Sequence, residues 1–267
     1  MLTFMVIGAQ RAGSTWLFTC LAGIDLYSRL QKSNPNLSRE ALEAEYTSAT
    51  KKGETSTGNI QNEINFWSNF EPEKIAWYKS LFSHNDIGGD ISPTYALLDV
   101  STIEKIHQHF PDLKIIFILR NPIERAWSQA RMHIVHQKLN YDDLTDDWFI
   151  QEFTQDHSLK MGDYEQTIRT WVSVFPFEQF KLMLYDNLSH DPKAFLEEIC
   201  AYINIPKAHI YRVWPSAFIN KKINVNALAP PITDTLRPIL QSLYADNITS
   251  LSEALQLNLS HWLSPNS

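Results

Sequence analysis

The chain has 267 residues, 23 Lys+Arg against 30 Asp+Glu, and a formal net charge of −7. That acidic balance argues against a nucleic-acid partner or a membrane-surface binder, since either calls for a basic footprint. With 44% hydrophobic and 12% aromatic residues, the chain can bury a substantial core, which excludes a disordered protein and suits one large α/β domain.

The longest strongly apolar run, Ile115–Leu119, is far too short to span a bilayer. The opening residues lack the basic stretch of a secretory signal and run straight into a strand. Cys20 and Cys200 lie far apart in sequence, and so sparse a usage fits a reducing compartment. A cytoplasmic protein is expected.

In chain order, Phe4–Ile7 reads as a buried strand and Thr15–Gly23 as a helix. Ile60–Phe66 is a less apolar strand candidate, followed by a helix over Pro72–Phe82 and a further strand candidate at Asp86–Asp90. Ser101–Phe110 reads as a helix, Ile115–Leu119 as a strand and Pro122–Gln137 as a helix. Asp163–Phe175 (helix), Phe180–Leu184 (strand) and Pro192–Ile203 (helix) repeat the alternation. Such alternation predicts right-handed crossovers and a central parallel sheet flanked by helices. Residues 205–267 form a flank of the same domain, loop-rich to Pro231, with helices expected at Thr233–Tyr244 and Thr249–Leu255.

Between the first strand and the first helix lies Ile7-Gly8-Ala9-Gln10-Arg11-Ala12-Gly13-Ser14-Thr15-Trp16. Gly8 and Gly13 have the separation of a phosphate-cradling loop, in which backbone N–H groups turn onto oxygens. Ser14 and Thr15 then open a helix whose free amides and positive dipole end favour an anion. The lysine that follows the second glycine in nucleoside-triphosphate loops is absent, because Ser14 stands there. The loop's cation is Arg11. The best apolar strand ends in Arg120 rather than the Asp that would hold Mg²⁺. No His/Cys/Asp spacing makes a metal site either, so a phosphate donor used without metal is expected.

The second motif is Arg120-Asn121-Pro122-Ile123-Glu124-Arg125-Ala126-Trp127-Ser128. Asn121 suits a helix N-cap and Pro122 the first helical position. Arg120 then projects from the carboxyl end of a strand, the edge where open α/β sheets bind ligands. An arginine fork and a hydroxyl suit a phosphate monoester. Arg125 shares a helical face with Ser128, and a structural pairing with a nearby carboxylate is expected for it.

The two motifs together resemble the 5′-phosphosulfate loop and the 3′-phosphate motif of the sulfotransferase superfamily. Gly89-Asp90-Ile91-Ser92-Pro93-Thr94-Tyr95 is similar to the "GEKSPSY" type of segment in its bacterial and heparan-sulfate-type carbohydrate branches. Met161–Tyr164 through Trp171, Phe175 and Pro176 resembles its "G-x-Y…L…W…FP" helix. Tyr185–Leu188 with Asp191-Pro192 resembles its "YEDL…DP" strand exit, and Leu251–Trp262 its terminal segment.

The resemblance implies an enzyme that moves a sulfuryl group from 3′-phosphoadenosine-5′-phosphosulfate (PAPS) to an acceptor hydroxyl or amine, releasing the 3′,5′-bisphosphate (PAP). It places Gly8, Gln10, Arg11, Ala12, Gly13, Ser14, Thr15 and Trp16 around the 5′-phosphosulfate, and Arg120 and Ser128 on the 3′-phosphate. Lys221 and Lys222 are further candidates for that phosphate or for the acceptor. Most relatives carry Lys at the Arg11 position, although tyrosylprotein sulfotransferases carry Arg. Heparan-type relatives also have Lys where this chain has Ile91.

The acceptor proton requires a base. Asn62–Trp67 resembles the "KE-x-x-F-F" strand of the heparan-type branch, which implies Glu63 as the base, with Asp90 as the alternative. Strand alternation puts Gln61, Glu63 and Asn65 on one face and Ile60, Ile64 and Phe66 on the other. Trp67 and Tyr95 are candidates for contacts to a small-molecule, lipid or carbohydrate acceptor, and Trp77-Tyr78 and Trp148-Phe149 are further aromatics for the pocket or the core. The histidines at 107, 109, 133, 136 and 157 are expected at the surface. A non-catalytic nucleotide-binding module of the same fold and an atypical P-loop kinase are the competing readings.

Overall fold

A computed structural model describes residues 1–34, 58–83, 87–213 and 230–264, with 38, 40, 41, 44, 48 and 219 besides. Five parallel strands form one sheet in the order β2-β3-β1-β4-β5. They are β1 (Leu2–Gly8), β2 (Ile60–Asn62), β3 (Gly88–Ile91), β4 (Lys114–Leu119) and β5 (Phe180–Leu184). Phe4 to Ile7 of β1 and Ile115 to Leu119 of β4 have no exposed surface. Their unbroken apolar runs are the signature of strands covered on both faces.

Among the described residues the helices with defined bounds are α1 (Ser14–Ser33), α2 (Ile75–Ser80), α3 (Val100–His109), α4 (Pro122–Gln137), α5 (Asp146–Thr154) and α6 (Asp156–Gly162). Then come α7 (Tyr164–Val172), α8 (Tyr185–His190), α9 (Pro192–Tyr202), α10 (Lys207–Val213) and α11 (Leu236–Leu255). Helix α4 has the bounds its cap and proline predict. Helix α1 runs ten residues past Gly23, because Leu17, Cys20, Leu21 and Ile24 keep one stripe against the sheet.

The two helices expected after residue 232 are one. Leu240, Tyr244, Ile248 and Leu251 recur at helical spacing and are all buried, so packing carries the helix through the Asp246-Asn247 pair. Helix α11 packs on α4, α5, α6 and α7. The strand expected over Ile60–Phe66 ends at Asn62. Glu63 and Asn65 are in the left-handed region (φ 54 and 52), and Phe66–Asn69 forms a 3₁₀ turn. Gln61 is buried as well as Ile60, so alternation does not separate a wet face from a dry one here. Asp86 lies outside the described residues.

Chain direction reverses about the centre of the sheet. After β1 the chain crosses toward β2, and after β4 it crosses toward β5. The carboxyl ends of the adjacent β1 and β4 therefore open a crevice, the place where doubly wound sheets bind ligands.

Candidate active site

Residues 9–13 leave β1 at that crevice. Ala9 N–H donates to Ile118 O at 2.8 Å, and Leu17 N–H closes the first turn of α1 on Gly13 O at 3.0 Å. The amides of Ser14, Thr15 and Trp16 thus have no helical carbonyl to bond, and the positive end of the macrodipole adds to their pull on an anion. Gly13 has φ 87, and a Cβ there would stand 2.6 Å from Leu188 Cδ2, so the loop needs glycine for both conformation and space. A Cβ at Gly8 would meet Phe117 Cε2 at 2.9 Å.

Arg120 leaves β4 on the other side of the crevice. Asn121 caps α4 by accepting from Ile123 N–H at 3.0 Å, and its Nδ2 donates to Trp262 O at 2.9 Å. Trp262 Nε1 in turn donates to Asp186 Oδ2 at 2.8 Å, which fastens the C-terminal flank to this corner. Tyr164 Oη donates to Arg120 O at 2.7 Å. The Arg120 guanidinium lies 4.8 Å from the Tyr185 ring centre, and its Nη1 donates to Arg11 O at 2.6 Å. Ser128, on the second turn of α4, accepts from Arg11 Nε at 3.1 Å.

The two motifs therefore meet in one cleft of about 640 Å³, a size suited to a nucleotide-sized ligand. Gln10, Arg11, Gly13, Ser14, Thr15, Trp16, Glu63, Arg120 and Ser128 all line it. A larger groove of about 820 Å³ opens at the opposite, amino-terminal edge of the sheet, walled mainly by apolar residues such as Leu2, Ile24 and Phe110. Its charged lining residues, Asp25, Lys32, Asp112 and Lys114, are two acids and two bases, whereas arginines predominate in the cleft.

Glu63 reaches the cleft because the chain turns after β2. Its amide donates to Ile91 O at 2.9 Å. Asn65 is held from below: its amide donates to Ser92 Oγ at 3.3 Å, and its Oδ1 accepts from Thr94 Oγ1 at 2.6 Å. Ser92 Oγ donates to Asp90 Oδ1 at 2.6 Å, while Tyr78 and Tyr95 donate to Asp90 Oδ2 at 2.7 and 2.9 Å. Asp90 is completely buried, and burial raises its carboxyl above the ordinary range against the opposing pull of those three hydroxyls. It is the anchor of the Glu63 turn and has no face on the cleft, which does not fit the alternative base.

Trp67 and Tyr95 are likewise core residues. Trp67 stacks on Phe70 with ring centres 4.9 Å apart, and both Trp67 and Tyr95 are buried away from any acceptor. Tyr78 and Phe149 are also buried, the latter 5.1 Å from the Trp127 ring. Arg125 is fully buried too, but among the described residues it has no carboxylate partner of the kind expected. It donates to Gln129, to Ser158 O at 2.8 Å and to Ser158 Oγ at 3.2 Å, so its side chain diverges from that of Ser128.

Within the loop, Ala12 turns its amide inward to Ala9 O at 3.2 Å, and Trp16 Nε1 donates to Ile219 O at 3.1 Å. Lys221 and Lys222 lie outside the described residues. The cleft also holds residues the sequence reading missed: Arg131, Met132, His136, Tyr185 and Pro93. For Arg131 the signal was present, three residues beyond Ser128 on a helix already assigned.

Three guanidinium groups thus share one cleft. Burial holds Arg11 below its ordinary range, with Arg120 and Arg131 adding to the effect and Tyr185 and Glu63 opposing it. Among the described residues none of the three forms an ion pair with a carboxylate. Desolvated like charges are unfavourable in isolation and favourable around a multiply charged anion.

Curated relatives that match include heparan sulfate glucosamine 3-O-sulfotransferase 5 of Mus musculus and of Homo sapiens. Each is 26% identical over 160 residues, which is 54% of this chain and 45% of theirs. The match thus spans a little under half the length of those relatives. Among solved structures, a sulfotransferase from Alicyclobacillus acidocaldarius superposes with a TM-score of 0.61 at 19% identity, over 99% of both chains. The sulfotransferase domain of the Synechococcus PCC 7002 olefin synthase superposes with a TM-score of 0.50 at 16% identity, over 97% of this chain and 96% of that one. These likenesses show a shared fold. The model of the sulfotransferase family matches residues 4–209, a run that takes in the loop, the Glu63 turn and the Arg120–Ser128 motif. The chain belongs to the sulfotransferase family.

Proposed function

We propose that this chain transfers a sulfuryl group from PAPS to an acceptor hydroxyl or amine by in-line displacement at sulfur. The observation that carries the reading is convergence. A helix-terminal anion site, a second site at Arg120 and Ser128, and the Glu63 carboxylate all border one cleft.

The residues present fit a donor with phosphate at both ends. Three arginines without carboxylate ion pairs among the described residues call for a multiply charged anion, and Gly13 puts no side chain at its point of the loop. Gln10 Oε1 is buried with no partner among the described residues. The donor supplies the activated sulfuryl group when bound. The amides of Gly13 to Trp16, with Arg11, hold its 5′ end, and Arg120 and Ser128 hold its 3′-phosphate.

Glu63 takes the proton of the acceptor as the new bond forms. Arg11 stabilises the negative charge that develops on the leaving phosphate oxygen. Arginine keeps its proton at working pH, so Arg11 acts by charge and hydrogen bonding rather than as a general acid. Positioning and charge stabilisation of this kind supply most of a group-transfer rate enhancement.

On the acceptor side, Pro93, Met132 and Val135 line the cleft, and Val135 is 59% exposed. Ile91 is fully buried and brings no cation to the acceptor. This lining suits a sugar face, a lipid alcohol or a small metabolite.

Incubation with sulfur-labelled PAPS and a panel of neutral and acidic acceptors tests the reading. Acceptor-dependent release of PAP, with label transferred to the acceptor, is expected. Bisphosphate binding without transfer to any acceptor contradicts the catalytic reading and favours the binding module. Transfer of phosphate from Mg·ATP favours the kinase.

A further inference from the structure

Arg131 belongs to neither phosphate motif, yet it borders the same cleft as both. It lies on α4 three residues beyond Ser128, so the two side chains share a helical face about one turn apart. Its Nε is buried and has no hydrogen-bond partner among the described residues. Burial holds the group below its ordinary range, and the next largest influence is Arg120, ahead of the opposing pull of Glu124 and Tyr141. The fold thus sets a third guanidinium on the cleft that Arg11 and Arg120 border and leaves one of its donors without a partner among the described residues.

An arrangement of that kind is stabilised by an anion with more than one charge and several acceptor oxygens. A phosphate monoester has both properties, with three strong acceptor oxygens and a second ionisation near pH 6. A phosphodiester or a phosphosulfate offers less charge per phosphorus. The position of Arg131 next to Ser128, on the helix that starts from the Arg120 strand exit, favours the 3′-phosphate end over the loop end.

Resting on the donor reading above, we propose that Arg131 completes the 3′-phosphate site with Arg120 and Ser128, and so makes the cleft selective for nucleotides bearing a terminal 3′-monoester. Arg131 then joins Arg120 and Ser128 in separating a bisphosphate from a 5′-monophosphate, without touching the transferred group.

The test is calorimetric titration of the full chain with PAP and with 5′-AMP, in wild type, Arg131→Met and Arg131→Lys. Thermal unfolding checks that each variant is folded. Losing a charge-assisted contact should weaken PAP binding by about tenfold to a hundredfold in Arg131→Met, with 5′-AMP binding changed less than about twofold. Arg131→Lys, which keeps the charge but not the fork, should fall between. The salt dependence of PAP binding should also become shallower in Arg131→Met, since one fewer cation meets the phosphate. Equal losses for PAP and 5′-AMP, or no loss for PAP, would overturn the role given to Arg131. Failure of the wild-type chain to bind PAP at all would instead overturn the donor reading on which it rests.

Discussion

Arg11 and Glu63, the two residues given chemical roles, share an uncommon backbone: φ is 68 at one and 54 at the other. A non-glycine residue in the left-handed region costs roughly 1–2 kcal/mol, and such strain gathers at functional sites. Here it is held by neighbours, by the Arg120 bond to Arg11 O and by the Glu63 amide bond to Ile91 O. Replacing Glu63 with Gln keeps this turn and removes only the base. Turnover should fall by a factor of about 10² or more, with PAP affinity changed little, as read from steady-state rates and titration side by side. Near-wild-type turnover would remove Glu63 from the role. Asp90 makes a different prediction. Its folded pKa is raised above the unfolded value near 3.8, so its contribution to stability is greatest below that pH and is lost as pH rises through the folded pKa. Asp90→Asn lacks this dependence. The unfolding free energy of wild type minus that of the variant should therefore decline from pH 4 upward. A flat or rising difference in chemical denaturation would contradict the raised pKa. Residue identity and spacing exposed Arg11, Arg120 and Ser128, because a loop or a helix start fixes where such side chains point. They did not expose the burial of Asp90, Trp67 and Tyr95, which depends on what the neighbouring segment lays over them.

Among the elements, α4 was legible to the residue and β4 to within one residue of its start. An uninterrupted apolar run, an N-cap and a proline are local signals that need no tertiary context. The segment after Asn62 was not, because its alternating pattern suits a strand, whereas the Asp90–Ser92–Asn65 chain of hydrogen bonds turns it out of the sheet. Helices α5 and α6 were missed for a related reason: they are short, and their buried faces, Phe149 and Phe153 in the first and Met161 in the second, exist only against α4 and α11. The corner at Asn121 joins strand, helix and C-terminal flank. Asn121→Ala removes both the cap and the bond to Trp262 O, so the variant should lose about 1–2 kcal/mol of stability. Binding of PAP should weaken with it, because Arg120 is the adjacent residue. Unchanged denaturation midpoint and affinity together would show that the corner does not position the site.

At the scale of the whole molecule, net charge and local field point in opposite directions. The chain carries −7 overall, while its central crevice gathers Arg11, Arg120 and Arg131. Composition therefore bears on nonspecific polyanion binding and leaves a buried anion pocket untouched. The alternation of strands and helices foretold the parallel sheet. The strand order, which brings the ends of β1 and β4 side by side, comes from packing that no single segment encodes. That juxtaposition brings into one cleft the two motifs proposed to hold the phosphates of the donor. The most direct test of that proposal is calorimetric titration of wild type and Arg120→Ala with PAP, 5′-AMP and Mg·ATP, the first two in chelator. Metal-free binding of PAP by wild type is expected, with Arg120→Ala weakening PAP far more than 5′-AMP. Equal losses for the two nucleotides, or binding of Mg·ATP alone, would contradict it.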